Sequence, residues 1–268
     1  MEVYFDNSAT TRCYDSVKDI VVKAMIEDFG NPSAMHLKGV EAEKYIKSSA
    51  ESLARLLKVQ EKEILFTSGG TESDNLALIG ATLANKRSGN HIITTSVEHP
   101  AVSQPALFLQ EQGFEVTYLP VDSRGVVKMD ALKAVLREDT ILVSVMYVNN
   151  EVGAVMPVEE IAALVHEKSP KALFHVDAIQ AFRKVQNLTR KKWESIFFLS
   201  AAIRSTDPRE WAFYMWTRRS GSSPSFSAAA SRRECARGQK TFRAAPAWAW
   251  LSRRSIRTMT KEWSVCTP

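Results

Sequence analysis

The sequence predicts an α/β protein, a mostly parallel sheet buried between helices on both faces. Three observations carry that expectation. Short apolar runs rich in Ile, Val and Phe alternate with longer stretches whose apolar residues recur at helical spacing. Such alternation implies right-handed crossovers, because parallel neighbours cannot be joined by a tight hairpin. The conspicuous polar residues, Gly69-Gly70-Thr71, Glu98-His99, Asn149-Asn150-Glu151 and Asp177 with Gln180, each fall just past a short apolar run. That is the carboxyl edge, where sheets of this class place their chemistry.

Taken in order, residues 4–11 (YFDNSATT) form a short extended opening that turns polar. A helix is expected over 15–29, with Val17, Ile20, Val21, Ala24 and Met25 on one face, and Gly30-Asn31-Pro32-Ser33 stops it. A second helix covers 36–57. Residues 64–67 (ILFT) have strand character and pass through Ser68-Gly69-Gly70-Thr71 into a helix that reaches about Asn85. A strand over 91–95, a helix over 100–112, a strand over 115–119 and a short helix over 130–136 follow. The strand 141–146, the helix 157–167 and the strand 172–176 complete the pattern.

The turn at 68–71 admits two readings. The first N–H groups of a helix have no internal partner, and the helix dipole adds positive potential there. Two glycines let an anion approach the main chain, and Thr71 can add a hydroxyl donor, so a phosphate cup is the functional reading. An ordinary βα turn is the plain one. The spacing is neither the dinucleotide fingerprint nor a Walker loop, since no Lys follows the glycines. Each other cluster also has a plain reading, since an Asp after a strand is commonly a helix cap. Together on one edge they supply an anion site, an imidazole, an amide and a carboxylate, with no metal spacing and no triad nucleophile. That set suits a flat, phosphorylated, nitrogen-containing cofactor.

A chain of 268 residues, 45% hydrophobic and 24% charged, has the composition of a soluble globular protein with ample length for a core. It has no apolar run of membrane-spanning length and no charged-then-apolar leader. Cys13, Cys235 and Cys266 form neither metal spacing nor a disulfide framework, so a cytoplasmic protein is expected. The net charge of +5 hides an asymmetry. Residues 187–268 carry 16 Lys+Arg against 5 Asp+Glu, whereas residues 1–186 carry 19 against 25. All six tryptophans also lie after residue 186.

The motifs DNSATT (6–11), GNPSAMH (30–36), FTSGGTESDNLAL (66–78), SVEHPAV (96–102), VNNEVGAVMPV (148–158) and HVDAIQA (175–181) resemble, in that order, those of the cysteine desulfurases. These are fold-type I pyridoxal-phosphate enzymes of the class V aminotransferase group. The resemblance covers about residues 3–186. It implies a three-layer PLP-transferase large domain over 1–186, with pyridoxal 5′-phosphate as cofactor and L-cysteine as substrate. It also implies a homodimer that hands sulfur to an acceptor or scaffold protein for iron–sulfur cluster or thio-cofactor assembly. Residue by residue, it implies that Gly70 and Thr71 hold the cofactor phosphate. His99 would stack on the ring and move protons, as the catalytic residue the chain retains, and Asn150 and Gln180 would bond the ring-hydroxyl side. Asp177 would pair with the ring nitrogen, keeping it cationic so that the ring accepts electrons.

The family holds its cofactor on a lysine within Ser-x-His-Lys-x-x-Gly-Pro-x-Gly, expected shortly after Gln180. No such stretch occurs; Lys191 and Lys192 lack that context, and the later Arg-Ser-Gly-Thr-x-Asn motif and catalytic-Cys loop are absent too. Reading the third base of each codon with the first two of the next offers an account. Residues 200–210 (SAAIRSTDPRE) then permit Ser-Gly-His-Lys-Ile-His-Gly-Pro-Lys-Gly, and residues 235–243 (CARGQKTFR) permit Arg-Ser-Gly-Thr-Glu-Asn-Val-Pro. The expectation is a reading-frame slip near residues 186–190. It leaves 187–268 as an out-of-frame, poorly ordered basic tail, without the small C-terminal domain. The sheet is expected to lack the strand after the lysine, and the chain to be inactive toward L-cysteine. Two competing readings are another class V enzyme, such as a selenocysteine lyase, and a non-catalytic protein whose basic, Trp-containing tail binds nucleic acid.

Overall fold

The computed structural model describes residues 3–182, 197–202 and 212–216. Helices α1 (Asp15–Ile26) and α2 (Leu37–Leu57) come first, followed by a single 3-10 turn at Glu61–Glu63. The alternating part runs β1 (Ile64–Thr67), α3 (Gly70–Asn85), β2 (His91–Thr95), α4 (Pro100–Glu111) and β3 (Glu115–Leu119). It continues through α5 (Met129–Val135), β4 (Thr140–Met146), α6 (Val158–Lys168), β5 (Leu173–Asp177), β6 (Phe197–Ala202) and β7 (Ala212–Trp216). One sheet holds all of these strands in the order β1-β7-β6-β5-β4-β2-β3. Only β7 runs against its neighbours, so β1, β2, β4 and β5 present their carboxyl ends to the same edge.

The apolar runs of the central strands sort by alternation, as side chains of period two must. Ile92, Leu142 and Leu173 join Ala77 and Leu78 of α3 and Val102 and Leu109 of α4 in one buried cluster. Ile93, Val143 and Phe174 point the other way, toward Leu53 and Leu57 of α2, Leu132 of α5 and Ile161 and Val165 of α6. Each such side chain contributes roughly 1.5–3 kcal/mol on burial. The two faces are thus claimed by different helices: α3 and α4 on one, α2, α5 and α6 on the other.

Two expectations are revised. Helix α1 ends at Ile26 rather than continuing to 29; beyond it the Lys38 ammonium donates to Glu27 O at 2.6 Å and lies 5.6 Å from the centre of the Phe29 ring. Phe29 fits the helical period but lies beyond the helix, 65% exposed. The second revision concerns the sheet, expected to stop short of the strand after the lysine position. Instead β7 fills the place between β1 and β6, with Ile64 opposite Met215 and Leu199 opposite Met215 on its other side. Ladder bonds are made by backbone groups that any sequence supplies, and a run such as AFYMW has the aromatic content that strands favour. The expected disorder of the rest of the tail lies outside the described residues.

Candidate functional site

Strand β1 is separated from β5 by β7 and β6, yet the helix that follows it reaches β5. From the end of β1, α3 crosses the face of β7, β6, β5 and β4. Its first turn comes to rest on the loop after β5: a Cβ built on Gly70 would lie 2.0 Å from Ile179 Cδ1. A side chain at position 70 would require the end of Ile179 to shift. Gly69 precedes the helix in extended conformation and supplies no side-chain cap, so the first-turn amides are open to an external anion. Thr71 is exposed beside them. Glu72 turns back to accept from Ser68 N at 2.6 Å and from the Ser68 hydroxyl, which pins the loop.

The other expected residues lie along the same edge. Asp177 ends β5, buried, with its carbonyl accepting from Tyr147 N at 2.8 Å. Its Oδ1 accepts from Ile179 N at 2.9 Å, which fixes the carboxylate and the residue packed against Gly70 in one short turn. His99, half-buried, caps α4 by accepting from Ala101 N at 3.1 Å on Nδ1. Asn150 donates to Glu151 Oε1 at 2.9 Å on the loop after β4. Its neighbour Asn149 is the buried organiser of that loop, donating to Val97 O and accepting from Glu151 N and Val152 N. Gln180 donates to Ser8 O at 3.0 Å, which brings the N-terminal segment to the same edge. The edge therefore offers an uncapped helix start and a buried carboxylate, joined through Gly70 and Ile179.

Sequence reasoning did not find the polar layer beneath this edge, whose members meet only through the sheet. On the face covered by α3, Ser144 of β4 bonds His175 Nδ1 at 2.8 Å, and His175 Nε2 lies 3.4 Å from Asp74 Oδ1. Burial holds the His175 imidazole down at about 4, against a weaker upward pull from Asp177, so the ring is neutral near pH 7. The set resembles a nucleophilic triad in composition but Ser144, His175 and Asp74 are each 0% exposed, which denies a substrate any approach. Glu98 lies alongside. Its Oε1 accepts from Thr95 Oγ1 at 2.7 Å and Met146 N at 2.9 Å, and burial pushes its carboxyl up to about 8. The HVD and EHP motifs mark His175 and Glu98 in the sequence, but only the register Met146 opposite Asp177 unites them.

Cys13 is half-buried and donates to Tyr14 O at 3.4 Å, away from any of these groups in sequence, while Cys235, Cys266, Lys191 and Lys192 lie outside the described residues. Among the described residues no cluster of metal-ligating side chains occurs, and no helix is long and apolar enough to cross a membrane.

The aminotransferase class-V family pattern matches residues 3–200. The chain is 46% identical over 183 residues to cysteine desulfurase IscS of Methanosarcina thermophila, covering 68% of this chain and 45% of that protein. It is 47% identical over 180 residues to putative cysteine desulfurase IscS 1 of Bacillus subtilis, covering 67% and 47% respectively. Among solved structures, a NifS-like protein superposes with a TM-score of 0.83 at 34% identity, over 98% of this chain and 71% of that one. DndA from Streptomyces lividans superposes with a TM-score of 0.81 at 30% identity, over 98% and 74%. The chain spans about half the length of the curated relatives it matches.

Proposed function

The chain belongs to the aminotransferase class-V family, and from that premise we propose that residues 1–186 are the cofactor-binding large domain of a cysteine desulfurase. In this reading the domain holds pyridoxal 5′-phosphate without a covalent bond. The observation that carries it is the approach of Gly70 to Ile179, two residues past Asp177. It brings an uncapped helix start within one small molecule's reach of a buried carboxylate, as a cofactor with a phosphate at one end and a ring nitrogen at the other requires.

The roles follow from the chemistry of each group. The first amides of α3 and the Thr71 hydroxyl bind the phosphate, with Gly70 giving the main chain its close approach. Asp177, already oriented by Ile179 N, holds a proton on the ring nitrogen by stabilising the cation. His99 would stand beside the ring; with Nδ1 accepting from Ala101 N, Nε2 would be the nitrogen that exchanges a proton. Asn150 and Gln180 bond the ring-hydroxyl side, each turning its amide from the partner it has here. Bound cofactor supplies an electron sink for a carbanion formed beside it.

L-Cysteine is the substrate class this site would admit, with an acceptor protein for the sulfur and a homodimeric assembly in the intact enzyme. The chain itself, lacking the lysine motif and the cysteine loop, is proposed not to form persulfide. The reading-frame slip near 186–190 accounts for both losses. Titration with pyridoxal phosphate, followed by induced circular dichroism, is expected to saturate while alanine release from L-cysteine stays at background. No saturable signal would refute the binding assignment. Sequencing the DNA tests the slip, which fails if no one-base change there restores the lysine motif.

A further inference from the structure

Glu98 has no role in the assignments above, yet its carboxyl is tightly held at the edge. It belongs to the loop between β2 and α4, one residue before His99. One carboxyl oxygen takes two donors, Thr95 Oγ1 from its own strand and Met146 N from β4. The other, Oε2, is buried with no hydrogen-bond partner among the described residues. The fields of Asp177 and Asp74 both bear on it and both disfavour a further negative charge. On the same face His175 stands between Asp74 and Ser144 as a neutral ring. An ionised Glu98 would place an uncompensated anionic oxygen in a buried pocket that already holds two other carboxyl groups, the costlier of its two states.

We propose that Glu98 is a positioning residue that works as a neutral acid: it clamps the His99 loop to the tip of β4, and releases its proton to solvent when a cation is seated against Asp177. The clamp stands on the two hydrogen bonds alone. The release rests on the cofactor reading given above, since a ring nitrogen carrying positive charge at Asp177 offsets one of the two carboxylate fields that add to burial in holding Glu98 protonated.

The full chain without cofactor tests the neutral acid. Burial raises this carboxyl from its ordinary 4.5 to about 8. Its contribution to stability is therefore complete below about pH 4.5 and is lost as pH rises toward about 8. Glu98→Gln keeps the acceptor for Thr95 and Met146 but cannot ionise. Urea midpoints of wild type and E98Q are expected to run together near pH 5, with E98Q gaining steadily on wild type up to about pH 8. Parallel curves across that range overturn the proposal. Infrared difference spectra of wild type with labelled glutamate give a second measure, independent of any variant's folding. A carboxylic-acid band that bleaches near pH 8 is expected, and its absence overturns the proposal.

Adding pyridoxal phosphate in weak buffer near pH 7 is expected to release more protons per molecule bound from wild type than from E98Q. Equal release from both overturns the coupling. If wild type binds no pyridoxal phosphate, the cofactor reading falls, while the stability and infrared measurements still decide the neutral clamp.

Discussion

Gly70 shows how closely local freedom and the site are joined. An Ala there would favour the helix by less than the ~1 kcal/mol of an interior position, since Gly70 is the first helical residue. In the fold its methyl meets Ile179 Cδ1 at 2.0 Å, an overpacking that costs roughly 1–3 kcal/mol. Gly70→Ala is therefore expected to lower the urea midpoint in the wild-type background and to be neutral or stabilising alongside Ile179→Val, which removes the offending carbon. Asp177→Asn keeps an oxygen for Ile179 N and so should fold normally. It should bind pyridoxal phosphate about 10- to 100-fold more weakly, the worth of one hydrogen bond to a charged group, as titration would show. Gly70 and Asp177 were both legible as residues at strand ends. The contact that crowds the glycine was not, because it joins positions more than a hundred residues apart through the path of α3.

Elements whose residues carry their own pattern were read closely. Strands β2 and β3 have the expected bounds, since each is a short run that Asn, Gly or Pro punctuates on at least one side. Helix α4 tolerates Pro105 near its middle, where pattern prevailed over the usual cost of a proline. Strands β6 and β7 were not expected because residues 187–268 read as an out-of-frame tail, although FFLSAA and AFYMW are apolar runs that a sheet ladder can take up. That makes β7 testable through its backbone. Met215 is paired on both sides, so Met215→Pro removes a ladder donor inside the sheet and is expected to cost roughly 1–3 kcal/mol in a urea titration.

The molecule as a whole should respond to acid through its buried imidazoles. His175 is held down at about 4, against an ordinary 6.5, mainly by burial, and His91 is lowered in the same direction for the same reason, bonded to Thr140 and Thr117. A base with a lowered folded value adds stability above about pH 6.5 that is lost as pH falls toward about 4. The imidazoles thus subtract stability across that window, against the opposite contribution of Glu98, and His175→Asn, which cannot take up the proton, is expected to gain on wild type as pH falls from about 6.5 to 4. Equal acid sensitivity in wild type and variant would count against this. None of it could be read from five scattered histidines, because burial is a property of the assembled layers.

Gln180 reaches back 172 positions to Ser8, so the chain's beginning is latched at the mouth by an amide a ligand would also engage. A ligand arriving there competes with the latch. The amino-terminal dozen becomes a reporter strip: trypsin should cut at exposed Arg12 faster as pyridoxal phosphate fills the mouth, turning occupancy into a band on a gel.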